Sequence, residues 1–168
     1  MRKIFIIFSC LVLFFGCWNV LPRKADALSG NEPTYTYWLQ SSSTPYKTSY
    51  GKWVTRSGYS HGPMKKTYSY STNTSFSIES SAGISKNNIK SGLSVSFTAG
   101  KKISTSATCT IPKNKKGAYQ TRDVYKHYKV KMDQWKSIDG RKSKTGATKT
   151  VKIKKKVSIE DRCHIINK

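Results

Sequence analysis

Residues 68–78 read Tyr68-Ser69-Tyr70-Ser71-Thr72-Asn73-Thr74-Ser75-Phe76-Ser77-Ile78, and their period is two. Tyr68, Tyr70, Thr72, Thr74, Phe76 and Ile78 fall on one side of an extended chain, with Ser69, Ser71, Asn73, Ser75 and Ser77 on the other. One aromatic or branched face against one polar face predicts a single long β-strand. The alternation returns in Leu93, Val95, Phe97 and Ala99, opposed by Ser94, Ser96 and Thr98. It keeps its parity past Gly100 through Ile103, Thr105, Ala107, Cys109 and Ile111, so Cys109 points inward. Gly100 then marks a bulge or a bend rather than a tight hairpin, which would reset the register. The intervening residues 81–92, with Ile84, Ile89 and two glycines, predict a turn or one short helical piece.

Outward toward the C-terminus, Pro112 to Gly117 reads as a basic turn, followed by a strand through Val124, Tyr128, Val130 and Met132 with Lys129 and Lys131 on its other side. Residues 137–146 predict a loop containing the turn dipeptide Asp139-Gly140. Val151, Ile153, Val157 and Ile159 then alternate with Lys152, Lys154, Lys156 and Ser158. Were that strand unbroken, Cys163 would share the inward parity of Val151 and Ile153, the side Cys109 occupies in its own strand. A Cys109–Cys163 disulfide follows, closing a loop of ~55 residues and contributing ~3–4 kcal/mol.

Toward the N-terminus, residues 28–63 are rich in aromatic, Gly and Pro residues. Pro33, Pro45 and Pro63, with Gly51 and Gly58, cut this segment into short extended pieces. Its rings, Tyr35, Tyr37, Trp38, Tyr46, Tyr50, Trp53 and Tyr59, read either as cover for a small core or as a platform for carbohydrate or lipid headgroups. No stretch sustains a 3.6-residue period. The fold class is therefore all-β: one antiparallel β-sandwich or partly open barrel over residues 64–168, with residues 28–63 packed on it.

Residues 1–27 form a secretory signal: Arg2 and Lys3, an apolar run from Ile4 to Phe15, and small residues at Ala25 and Ala27. A retained anchor and a lipoprotein at Cys17 are the competing readings. Bulky Phe14 and Phe15 before Cys17 and the helix-ending Pro22 disfavour both. Cleavage after Ala27 removes Cys10 and Cys17, leaving Cys109 and Cys163 as a lone pair in an oxidising exterior. Of 31 basic and 8 acidic residues the signal holds four and one, so residues 28–168 keep 27 and 7, a formal net of +20. Such an excess attracts polyanions: wall polymers, anionic headgroups and nucleic acid.

Reaction chemistry is not legible in this pattern. His61, His127 and His164 lack metal-ligand spacing, no Ser lies in a nucleophile elbow, and the seven carboxylates of residues 28–168 sit near turns or beside lysines. Cys163-His164 cannot share a proton, because neighbours on a strand face opposite ways. The sequence thus predicts no enzyme, no metal and no cofactor. Nucleic-acid binding is expected only nonspecifically. The basic residues of 28–168 include only four arginines, Arg56, Arg122, Arg141 and Arg162, and the one candidate stacking stretch is Tyr125 to Trp135.

A resemblance can be placed on Gly51-Lys52-Trp53, His61-Gly62-Pro63, the Ser/Thr-alternating strands, Ile111-Pro112 with Lys116-Gly117, and Val124-Tyr125-Lys126 with Tyr128-Lys129-Val130. In these the chain resembles uncharacterised small secreted β-rich proteins of Gram-positive bacteria. The resemblance implies export and a β fold, and no reaction, ligand or catalytic residue.

The expected function is adhesion to an anionic extracellular surface, a cell-wall polymer or membrane headgroups, through Lys129, Lys131, Lys152, Lys154 and Lys156. The alternative is a membrane-active, bacteriocin-like toxin in which residues 67–80 and 93–111 refold as a transmembrane hairpin. Lysines at strand edges also guard against edge-to-edge association, but that role needs only a few. N-terminal sequencing of protein from culture medium should begin at Leu28; a start at Met1 or a lipid on Cys17 contradicts the signal assignment.

Overall fold

A computed structural model describes residues 34–167; the signal assignment to residues 1–27 lies outside these. The elements in chain order are β1 (Tyr35–Tyr50), β2 (Val54–Thr55), β3 (Ser60–His61), β4 (Met64–Asn73), β5 (Phe76–Ser80), α1 (Lys86–Gly92), a 3₁₀ turn (Val95–Phe97), β6 (Lys102–Ile111), β7 (Lys115–Ile138) and β8 (Arg141–Asn167). Six strands form one antiparallel sheet with the path β1-β7-β8-β5, in which β2 and β3 pair further along β7. β4 and β6 form a separate two-stranded sheet. The fold is all-β and antiparallel, and the path of the larger sheet ends at β1 and β5 without closing into a barrel.

β7 and β8 are the frame. Their ladder runs from Ile138↔Arg141 to Lys115↔Asn167. No loop spans residues 137–146 as the sequence pattern predicts. The strands run straight into the Asp139-Gly140 turn, whose two residues both take positive φ, 49° and 73°. That is the geometry a two-residue hairpin demands of its turn, and Asp-Gly is a favoured pair for it. The Gly146 end of the expected loop is instead an irregularity within β8, where the register shifts between Asp133 and Trp135.

The strand anticipated over residues 68–78 is two strands in two sheets. β4 stops at Asn73, where its register with β6 ends at Lys102, and β5 crosses to pair with β8. Thr74 makes the break: its amide donates to the Lys101 carbonyl, and its hydroxyl accepts from the Lys101 amide. The alternation at residues 93–99 is likewise not a strand, since Val95 is 88% exposed in the 3₁₀ turn while Phe97 is buried. A period of two in four apolar residues did not outweigh the helical start at Ser85, whose side chain caps α1 by accepting from the Asn88 amide at 3.2 Å.

Burial falls on opposite faces of the long sheet at its two ends. Toward the Asp139-Gly140 turn, Val130, Met132, Val151 and Ile153 pack under Ile84 and Ile89 of the α1 region and Phe97 of the 3₁₀ turn. Toward the other end, the opposite face is covered by β4 and β6. There Tyr119 stacks on Tyr68 with ring centroids 5.3 Å apart, and Ile111 lies against Gly117, where a Cβ would come within 2.7 Å of it. Cys109 and Cys163 meet at disulfide distance, with Cα atoms 5.2 Å apart. The parity that predicted this pair is overturned, however. Val157 is an extra residue in β8, where Ser158 pairs with Val124 and Lys156 with Tyr125. One extra residue reverses every side chain beyond it. Cys163 therefore faces away from Val151 and Ile153, toward the sheet that carries Cys109.

Residues 35–61 enter the larger sheet as β1, β2 and β3, all pairing with β7. Pro45 does not end β1, because β1 is an edge strand and its register shifts there. Of the aromatic residues, Trp38 packs on the core while Tyr35, Tyr46, Tyr50 and Tyr59 are exposed. Among the described residues no helix is long and apolar enough to cross a membrane.

Gly92 is buried where α1 ends against β1, and a Cβ there would sit 1.9 Å from the Trp38 carbonyl oxygen. Gly58 has nothing within 4 Å of the same position. Gly92→Ala should therefore cost about 1–3 kcal/mol or more by forcing α1 off the sheet, and Gly58→Ala less than about 0.5 kcal/mol. Urea unfolding of both variants checks this; equal midpoints would contradict the packing of α1.

Candidate functional site: an uncovered cationic face

Because β4 and β6 cover only one end of their face of the large sheet, the same face is bare toward the Asp139-Gly140 turn. β7 places His127, Lys129 and Lys131 there, and β8 places Lys152 and Lys154. Cross-strand register puts Lys129 directly opposite Lys152, and His127 opposite Lys154 on one side and Lys47 of β1 on the other. Residues opposite one another in a ladder share a face. Lys129, Lys131 and Lys152 are exposed and Lys154 half-buried. Among the described residues, none of the four forms an ion pair. Lys129 lies over the Tyr46 ring at 5.8 Å and Lys154 over the Tyr125 ring at 4.3 Å, contacts that hold the stems down without neutralising the charge.

Lys156, the fifth residue of the expected set, departs from it. It has the same parity but lies where β4 begins to cover the face. Its ammonium is 3.6 Å from the Asp123 carboxylate and donates to the Thr72 hydroxyl at 3.1 Å, leaving its side chain 12% exposed. It joins the two sheets. Asp123 also accepts from the Tyr125 hydroxyl at 3.2 Å, and burial together with that carboxylate pushes the Tyr125 pKa up. At the turn end of the face, hydrogen bonds from Lys144 at 2.9 Å and Ser41 at 3.1 Å hold the Asp133 carboxyl below its usual range. Its contribution to stability is present at neutral pH and lost as pH falls through that lowered value.

Three residues that carry no motif in the sequence meet on this face. Ser49 of β1 has its Oγ 2.7 Å from His127 Nε2, and His127 Nδ1 is 2.9 Å from Glu79 Oε2 of β5. The His127 side chain is 8% exposed. Two irregularities build the cluster. Glu79 is unpaired between Ile78↔Ile153 and Ser80↔Lys152, which frees it to reach across β8. Tyr46 is unpaired between Pro45↔Tyr128 and Lys47↔His127, and its ring meets the imidazole edge-on at 6.0 Å. Residues 49, 79 and 127 are far apart in sequence and no spacing rule joins them; only the sheet order does.

A second array occupies the opposite face toward the chain's C-terminal end. The Arg122 guanidinium lies 4.5 Å from the Trp53 ring and 4.3 Å from Tyr50, while Arg162 lies 4.2 Å from Trp53. Arg122 is bound to Glu160 at 2.7 Å and Arg162 donates to Gln120 at 2.9 Å. These arginines are spent on protein partners. The stretch Tyr125 to Trp135 offers no free row of rings either, since Tyr128 packs on the core and Trp135 lies under Lys144 at 5.5 Å. Among the described residues no three His, Cys, Asp or Glu side chains gather to hold a metal ion. Compared with known protein families and with curated proteins, the chain matches none.

Lys156→Gln removes a half-buried ion-pair partner and should cost about 1–3 kcal/mol. Lys152→Gln, on the bare face, should stay within about 0.5 kcal/mol of the parent. Thermal unfolding separates the two, and equal losses would contradict the different roles given to lysines of one parity.

Proposed function

We propose that this chain is exported through a signal peptide cleaved after Ala27 and adheres to a surface bearing repeated phosphate or carboxylate groups. The observation that carries the reading is the cluster of Lys129, Lys131, Lys152 and Lys154 on one uncovered sheet face. Strands lie ~4.8 Å apart and alternate residues ~6.6 Å apart, so the four stems rise from a grid small enough to meet several anions of one polymer together. Like charges directly opposite, as in Lys129↔Lys152, oppose folding. A sheet that keeps them gains nothing from them unless an anion neutralises them. Lysine suits a flexible, repeating anion, because a hydrated ammonium adapts to many geometries where a guanidinium prefers a fixed fork.

The test is retention of the protein on immobilised polyphosphate, on phosphatidylglycerol-containing vesicles and on duplex DNA across a salt series. Binding to polyphosphate should fall steeply between 0.1 and 1 M salt, as the Debye length shrinks from ~10 to ~3 Å. The joint substitution of Lys129, Lys131, Lys152 and Lys154 by Gln should weaken it several-fold more than the same change at Lys65, Lys90, Lys102 and Lys113. Equal loss in both variants reduces the interaction to net charge and removes the assigned face. Preference for vesicles identifies headgroups as the source of phosphate, whereas release of an entrapped dye favours the membrane-active alternative and contradicts adhesion.

A further inference from the structure

The bare cationic face also carries the parts of a nucleophilic hydrolase. Ser49 Oγ, His127 and Glu79 stand in the order nucleophile, base, orienter, joined through the nitrogens that order requires. With Nδ1 donating its proton to Glu79 Oε2, Nε2 is left as the acceptor for the Ser49 hydroxyl. The imidazole is nearly sealed from solvent and the carboxylate one-third exposed. Burial holds the ring and the Glu79 carboxylate selects the tautomer protonated on Nδ1, while Ser49 is half-buried on an edge strand. Both ring nitrogens of a buried imidazole need partners, and Glu79 satisfies only Nδ1. Here a second partner is a hydroxyl at 2.7 Å, and two register irregularities converge on the ring. Bulges are over-represented next to active sites because they re-aim a side chain out of the ladder.

We infer that Ser49 is the nucleophile of an ester-hydrolysing site, with His127 its general base and Glu79 the positioning residue. The inference that the ester is carried on an anionic polymer rests on the adhesion reading above; the chemistry at Ser49 does not. Ser49 Oγ attacks the ester carbonyl carbon as its proton passes to His127 Nε2. The tetrahedral intermediate breaks its bond to the alcohol oxygen, which takes the proton back from Nε2 and leaves. Water, deprotonated by His127, then attacks the acyl-Ser49 carbonyl and releases the acid, restoring the Ser49 hydroxyl. Lys47 and Lys154, which flank His127 in register, supply positive charge for the oxyanion. Flexible ammonium groups are poorer than fixed backbone amides, and loss of one amide donor alone costs ~10²–10³ in kcat. The site is therefore a slow esterase.

Two probes independent of polyanion binding test it: an alkyl fluorophosphonate, and p-nitrophenyl acetate. The full-length protein should take up one phosphonyl group, located on Ser49 by peptide mass spectrometry, and should release p-nitrophenol from the acetate ester. Ser49→Ala should abolish both while still binding polyphosphate. Glu79→Gln should lower kcat by ~10²–10⁴ with KM unchanged, a split that loss of a merely structural contact would not give. Absence of any adduct on Ser49 of the wild-type protein overturns the inference whether or not the variants fold, as does undiminished ester hydrolysis in a folded Ser49→Ala protein. Labelling at Ser49 in a protein that ignores polyphosphate would keep the esterase and remove its polymeric substrate.

Discussion

The pairing of β7 with β8, and the single extra residue Val157 within it, is the constraint on which the molecule depends. Every strand but β4 and β6 pairs with one of these two, and β4 and β6 reach them through the disulfide and through side-chain contacts. Strand side chains have a period of two, so a ladder this long would ordinarily bury one face throughout. Val157 exchanges the faces of β8 part-way along. Val151 and Ile153 then serve a core on one side, while Asp161 and Cys163 serve a second on the other, where Asp161 accepts from Thr105 of β6 at 2.9 Å. Covering opposite faces at opposite ends leaves two bare areas, and they too lie on opposite faces. The cationic face and the arginine–tryptophan array are those two areas, and Val157 lets β8 follow an exchange of buried faces that β7 makes without an extra residue.

The two bare areas handle charge differently. Around Trp53, flat guanidinium groups stack on an indole and are held by Glu160 and Gln120, so positive charge there is fixed and largely matched. On the lysine face, carboxylates near the cations are already committed: Asp123 to Lys156, Asp133 to Lys144 and Glu79 to His127. Seven carboxylates in residues 28–168 cannot match 27 basic groups, and five of them, Glu79, Asp123, Asp133, Glu160 and Asp161, are engaged in contacts between strands. Four of the unmatched lysines, Lys129, Lys131, Lys152 and Lys154, stand where the sheet is uncovered.

The fold class was legible because alternation in β6, β7 and β8 is strong, and Asp139-Gly140 announces its turn. Cys109 and Cys163 could be paired because no other cysteine remains after residue 27, although the parity offered for Cys163 was reversed by Val157. A bulge of this kind leaves no mark in composition, since valine fits a strand wherever it stands. Thr74 hid the end of β4 for the same reason: it suits the alternating pattern while its hydroxyl and amide turn the chain. Parity put Lys129 with Lys131, and Lys152 with Lys154, on one side of each of two strands, and the pairing of β7 with β8 joins them into one face. Lys156 was not excluded from it, because its neighbour Thr72 comes from a sheet that sequence could not place. Ser49, His127 and Glu79 were illegible for a deeper reason, since two of the three depend on where β1 and β5 sit relative to β7, and Glu79 is aimed only by a register fault.

Binding and reaction on one face would be physically coupled. An anionic chain laid over Lys129 and Lys152 screens the repulsion between them and, by displacing water, lowers the local dielectric around Lys47 and Lys154. Electrostatic stabilisation of an oxyanion grows as the dielectric falls. If Ser49, His127 and Glu79 act as inferred, a triad slow toward a small neutral ester would gain most from a substrate whose own charge brings it down over the lysines, because the interaction holding the polymer would also dry the site.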